Sequence, residues 1–117
     1  MSHNLRKPDT MDAPYLYIVK FWVHPDSRKA VMDWLDKGHM AEVVAQPGFR
    51  FVRRVNLEEA SDDGWSAHIM IYGLESKAAL QRYAAGPAPA KFAQERKPFE
   101  HHLRMERASG AVDARIP

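Results

Sequence analysis

The chain has 117 residues, 45% of them hydrophobic and 27% charged, with a formal net charge of +2 and no cysteine. That is the length of one ordinary domain, and its apolar fraction is too high for a disordered body. The missing cysteines exclude a disulfide scaffold, Cys-ligated zinc, iron–sulfur clusters and thiol nucleophiles, and so small a net charge is no nucleic-acid footprint.

Residues 1–13 are polar and aperiodic, which predicts a flexible N-terminal arm. They lack the apolar stretch of a signal peptide, and no run in the chain approaches the ~20 residues that span a bilayer. The expected address is therefore cytoplasmic, with no membrane partner. YLYIVKFWVH (15–24) is dense in aromatic and β-branched residues and predicts a strand. Its odd positions, Tyr15, Tyr17, Val19, Phe21 and Val23, are all apolar or aromatic. The even set, Leu16, Ile18, Lys20, Trp22 and His24, is mixed.

Pro25, Asp26 and Ser27 open a helix, since Asp and Ser satisfy the unpaired N–H groups of a first turn. Its apolar stripe runs through Val31, Trp34, Leu35, Gly38, Ala41 and Ala45, with Met32, His39 and Val43 on one flank. QPG (46–48) ends it. FRFVRRVN (49–56) and WSAHIMIY (65–72) predict a second and third strand in an antiparallel hairpin, joined by the acidic segment LEEASDDG (57–64). Ser76 caps a short helix through Ala79, Leu80 and Tyr83, GPAP (86–89) interrupts it, and residues 90–97 form a second helical piece. FEHHLRMERAS (99–109) predicts the fourth strand, so the domain spans 14–109 and residues 110–117 are a tail.

The order βαββαβ specifies an α+β, ferredoxin-like domain whose four-stranded antiparallel sheet carries its helices on one face. With the all-apolar set of the first strand beneath the helices, the other face would show Leu16, Ile18, Trp22, Val52, Met70 and Tyr72. A patch of that size marks an interface, and the expected partner is a second copy packed sheet to sheet, a homodimeric α+β barrel.

Trp34, the run Gly38-His39-Met40-Ala41-Glu42-Val43-Val44, Gly48-Phe49, Ile71-Tyr72, Tyr83, Ala88-Pro89, Phe99 and Arg104 together resemble the DUF4286 family of the dimeric α+β barrel superfamily, over roughly residues 16–108. His39 and Glu42-Val43 match that family's helix-one motif, W-x(n)-H-x-x-E-V. Met40-Ala41 replaces an Ile-Pro, and Ile71 replaces a Gln before the tyrosine, so any role of that Gln is absent here. The resemblance implies fold and dimerisation, not a reaction. The superfamily includes cofactor-free monooxygenases, haem-degrading enzymes, isomerases, cyclases and regulatory ligand-binding domains.

Two constellations offer chemistry. His39, flanked at helical spacing by Leu35 and Val43, borders the buried stripe of the first helix, where it either packs near the helix C-terminus or rims a pocket. His68 and Tyr72 share a face of the third strand; Trp22, Arg50, Arg54, His102 and Arg104 are expected to join them there. Such a face suits an anionic, partly aromatic ligand, or else is a polar dimer interface. His39, His68 and Tyr72 are the catalytic candidates, since a histidine near its pKa exchanges protons and a tyrosine O–H stabilises an oxyanion. Trp22, Trp34, Arg50, Arg54, His102 and Arg104 are the substrate-binding candidates. No HExxH, phosphate loop, dinucleotide fingerprint or GxSxG occurs, so neither metal nor cofactor is expected. Arginines on both faces of the second strand, without base-stacking aromatics, exclude nucleic acid. These features predict a cofactor-independent enzyme acting by proton transfer, of isomerase, lyase, cyclase or monooxygenase type, on a small anionic or aromatic compound. The alternative is a non-catalytic ligand-binding or regulatory homodimer.

Overall fold

β-Branched and aromatic side chains crowd a helix but pack well on a pleated surface. The run Tyr15–Val23 is accordingly extended as strand β1 in the computed structural model, which describes residues 12–59 and 61–117. A 3₁₀ turn (Pro25–Ser27) follows, capped by the His24 ring, whose Nδ1 accepts the Asp26 N–H at 3.0 Å. Helix α1 (Arg28–Trp34) runs through a π-type turn (Leu35–His39) into α2 (Met40–Val44). Then come β2 (Phe49–Asn56), β3 (Ser66–Leu74), α3 (Lys77–Ala85), α4 (Ala88–Arg96), a 3₁₀ segment (Lys97–His102) and β4 (Leu103–Ala111). Ser76 caps α3 through its Oγ, which accepts the Ala79 N–H at 3.1 Å. Gly48 turns the chain into β2 at φ +84°, where a Cβ would also lie 2.5 Å from that of Ala79.

The sheet order β2-β3-β1-β4, antiparallel throughout, is the ferredoxin-like arrangement expected from the element order. Val19, Phe21 and Val23 of β1 and Met70, Tyr72 and Leu74 of β3 meet Val31, Leu35, Val43 and Phe92 of the helical layer in one core. Among the described residues no helix is long and apolar enough to cross a membrane.

Register corrects the expected faces. Tyr17 pairs with Tyr72, Val19 with Met70 and Phe21 with His68, so Met70, Tyr72 and His68 all lie under the helices. A bulge between Phe49 and Phe51 brings Val52 opposite Tyr72, on the helix side as well. Phe51 moves to the open face, where its ring lies directly on Gly73; a Cβ there would stand 2.1 Å from Phe51 Cε2. The apolar part of the open face is thus Leu16, Ile18, Trp22, Phe51, Ile69 and Ile71.

Three boundaries also differ. The fourth strand starts at Leu103 and not at Phe99, because the segment around Pro98, which fixes φ and lacks an N–H, coils into the 3₁₀ turn. His102 is therefore outside the strand. The second helical piece begins at Ala88, since Pro89 sits in its first turn, where no N–H is needed. At the C-terminus β4 continues to Ala111, the Val112 N–H donates to Pro14 O at 2.9 Å, and Arg115 bonds Asp12 Oδ1 at 2.9 Å and Ala13 O at 3.2 Å. Residues past 109 thus pair with residues 12–14, where a free tail was expected. The rest of the expected arm, residues 1–11, lies outside the described residues.

Candidate functional site

Between sheet and helices runs a narrow cavity of about 40 Å³, room for a water or two, so a larger ligand would have to displace side chains that line it. Each element contributes at a position its periodicity dictates. The inward set of β1 gives Tyr17, Val19 and Phe21, β3 gives Met70 and Tyr72, and β4 gives Met105 and Arg107. Tyr83 of α3, Arg96 of α4 and Trp34 and His39 of the first helical segment close it from above.

His39 is 7% exposed and ends the π-type turn, a local widening of the helix that recurs at functional sites. Its ring lies flat against the Trp34 indole, centroids 4.0 Å apart at 19°, and edge-on to Phe92 at 4.4 Å. Burial first, then the Arg96 guanidinium, pushes the imidazole down to about 4 from an ordinary 6.5, against smaller opposing pulls from Glu95 and Glu42. It is neutral at pH 7. Its Nδ1 is the one side-chain polar atom among the described residues that is fully buried with no hydrogen-bond partner. Such an atom costs about 1–3 kcal/mol unless something else satisfies it.

The Trp34 N–H donates to Glu95 Oε1 at 2.9 Å, and Lys91 bridges Glu95, at 3.0 Å, to Glu42. This polar chain, outside the cavity, holds the indole over His39. Inside, Tyr17 stacks on Tyr72 at 5.8 Å and approaches Tyr83 at 6.4 Å, while Phe49 meets Tyr72 edge-on. Burial raises the Tyr72 phenol and pushes Tyr83 up to about 12, so both keep their protons. Arg107 Nε donates to the Tyr17 hydroxyl at 3.0 Å. Burial, followed by the neighbouring Arg107 charge, lowers Arg96. Neither guanidinium has an ion pair among the described residues. The cavity joins a neutral imidazole, three phenols and two uncompensated cations, and it suits a planar anion. Among the described residues no three His, Asp or Glu side chains converge as a metal site.

Of the sequence candidates, the structure brings His39, Trp34 and Tyr72 together here. It places the others elsewhere. His68 faces the helices but opens into a separate recess with Arg54, which pairs with Asp36 at 2.8 Å. Arg50 is exposed at the β2 bulge, away from Tyr72. Trp22 and Arg104 pair across β1 and β4 on the opposite face, with Arg104 over Trp65 at 4.1 Å and bonded to Asp63 at 2.6 Å. His102 stacks on His24 at 4.2 Å and bonds Ser27 at 2.6 Å, a brace at the strand end. The expected cluster on one sheet face therefore does not exist.

The sequence candidates omitted Tyr17, Tyr83, Arg96 and Arg107. Arg107 was detectable, because it alternates with the apolar Leu103 and Met105 and not with Arg104 and Glu106. Arg96 lies four residues beyond Phe92, on the same side of α4.

A model of the DUF4286 family, described as a domain of unknown function, matches residues 14–108. Solved structures share the fold at low identity. A monooxygenase from the ActVA-Orf6 gene of Streptomyces coelicolor, in complex with nanaomycin D, is 19% identical with a TM-score of 0.68, over 94% of this chain and 98% of its own. SnoaB, a cofactor-independent oxygenase of Streptomyces nogalater, is 20% identical with a TM-score of 0.58, over 91% and 99%. A dimeric ferredoxin-like protein from an uncultured marine organism is 9% identical with a TM-score of 0.65, over 90% and 100%. No curated protein matches the sequence.

Proposed function

The chain belongs to the DUF4286 family, and from the chemistry of the cavity lining we propose that it is a cofactor-independent enzyme that moves a proton on a small, planar, anionic or phenolic substrate. The observation that carries this is the buried, unpartnered Nδ1 of His39, a residue that lines one cavity with Arg96 and Arg107, two guanidiniums without an ion pair among the described residues. A substrate oxyanion held by Arg96 and Arg107 would neutralise both, and the rings of Tyr17, Tyr83 and Trp34 would hold its plane. That anion also removes one cause of the low His39 pKa, because it offsets Arg96, and so makes the imidazole a stronger base as the substrate enters. His39 then takes an enolic, phenolic or carbon-bound proton and returns it after rearrangement, while the protonated Tyr72 and Tyr83 remain hydrogen-bond donors. Two proteins of the same fold, a monooxygenase in complex with nanaomycin D and a cofactor-independent oxygenase, are compatible with a small-molecule enzyme.

We further propose that the unit is a homodimer joined through the open sheet face, whose apolar side chains Leu16, Ile18, Ile69 and Ile71 are only half-buried among the described residues. Hydroxylated naphthalenes and aromatic carboxylates, titrated by quenching of tryptophan fluorescence, test the site. Arg96→Gln and Arg107→Gln should each weaken binding about tenfold. His39→Gln should leave binding within a few-fold and cut turnover by roughly 10²–10⁴. Binding unchanged in both arginine variants would refute the site. Binding with no turnover of any ligand would favour the second reading, a non-catalytic ligand-binding homodimer, for which the low basicity of free His39 speaks.

A further inference from the structure

A second recess, distinct from the cavity above, opens where α1 crosses β2 and β3. It has a volume of about 250 Å³ and is lined by Arg28 and Met32 of α1, Arg54 and Asn56 of β2, and Ser66 and His68 of β3. No lining residue is acidic. Arg28 has no ion pair among the described residues, and Arg54 shares its charge only with Asp36, an exposed carboxylate outside the recess. His68 is 6% exposed, its ring stacked on Phe21 at 5.0 Å, with Nε2 2.8 Å from Ser66 Oγ. Polar side chains from three elements therefore line one recess with an unbalanced positive charge. Packing alone gives no reason for this lining, since apolar side chains would fill the space without setting two cations near a buried imidazole.

We infer that this recess is a binding site for a tetrahedral dianion, inorganic phosphate or the phosphate group of a monoester. Two guanidinium forks supply planar pairs of donors and match two negative charges. Asn56 on β2 and Ser66 and His68 on β3 add an amide, a hydroxyl and an imidazole to the same lining, more donors than the two oxygens of a carboxylate engage. The charged groups facing His68 are Arg54 from β2 and Arg28 from α1; β1 presents only the Phe21 ring. Burial and then those two cations hold the His68 pKa below the ordinary value. A bound dianion opposes both cations, so binding should carry uptake of a proton onto His68 and tighten as pH falls.

The test uses the full chain and sulfate, which stays a dianion across the range. Sulfate titrations followed by 15N and imidazole resonances should saturate, with the largest shifts at His68, Arg54 and Asn56. The affinity should be several-fold higher at pH 5.5 than at pH 7.5, with that dependence lost in His68→Gln. Arg28→Gln should weaken binding about tenfold; because Arg28 is exposed, the fold survives the change, and Arg28→Lys should recover only part of the loss. Phosphate at pH 7.5 should compete, and acetate should not. Shifts that do not saturate, shifts centred on Arg96 and Arg107, or indifference to Arg28→Gln would each overturn the site. Equal binding of acetate and sulfate would overturn the tetrahedral assignment.

Discussion

His39→Leu should remove a pH-dependent weakness from the fold. In the wild type the imidazole has a pKa of about 4 when folded, against the ordinary 6.5 when unfolded. Between these values the unfolded chain binds the proton and the folded chain does not, so stability falls as pH drops from 6.5 toward 4 and levels off below. At pH 4.5 the two pKa values correspond to about 2.5 kcal/mol relative to pH 7.5. The ring is reached by solvent from the groove beside Trp34 and Glu42, which screens its charge and lowers that figure to about 2 kcal/mol. Leucine does not titrate and leaves no unpartnered Nδ1, which itself costs about 1–3 kcal/mol. Urea unfolding followed by tryptophan fluorescence, for wild type and variant at pH 7.5 and 4.5, reads both effects. The variant should be at least as stable as wild type at pH 7.5 and should lose about 2 kcal/mol less on acidification. Identical pH dependence in the two proteins would show that His39 is charged or satisfied when folded and would refute the reasoning.

Other perturbations probe separate levels of the structure. Gly73→Ala would force the Phe51 ring off β3 and should cost about 1–3 kcal/mol by thermal unfolding; the double change Gly73→Ala, Phe51→Ala should not add the two single costs. Phe92→Ala, in the core and against His39, should cost about 3–5 kcal/mol and raise the His39 pKa as water enters, which a histidine NMR titration would detect. Ile71→Glu on the open sheet face should convert a dimer to a monomer in sedimentation with the far-ultraviolet spectrum unchanged. A monomeric wild type at micromolar concentration would refute the dimer at once.

The sequence by itself determined the elements, their order and therefore the fold. Strand β1 alternates a wholly apolar set with a mixed one, Ser76 caps its helix, and glycine is the one residue that suits φ +84° at position 48, so local chemistry had one consistent solution. His39 was legible for the same reason, because its spacing from Leu35 and Val43 put it on the buried side of the helix. What the sequence left open was the phase of strands whose two sets are both apolar. In β3 the set His68, Met70, Tyr72 and the set Ala67, Ile69, Ile71 are equally fit for burial, and only pairing with Tyr17, Val19 and Phe21 chose between them. In β2 the bulge inverted the faces after Phe49, a one-residue event that pattern does not encode. The site depended on both, since a shift of one residue in register moves every side chain to the opposite face. Tertiary packing therefore decided that Tyr72 lines the same cavity as His39, that His68 belongs to a recess of its own, and that Trp22 and Arg104 lie across the sheet from both.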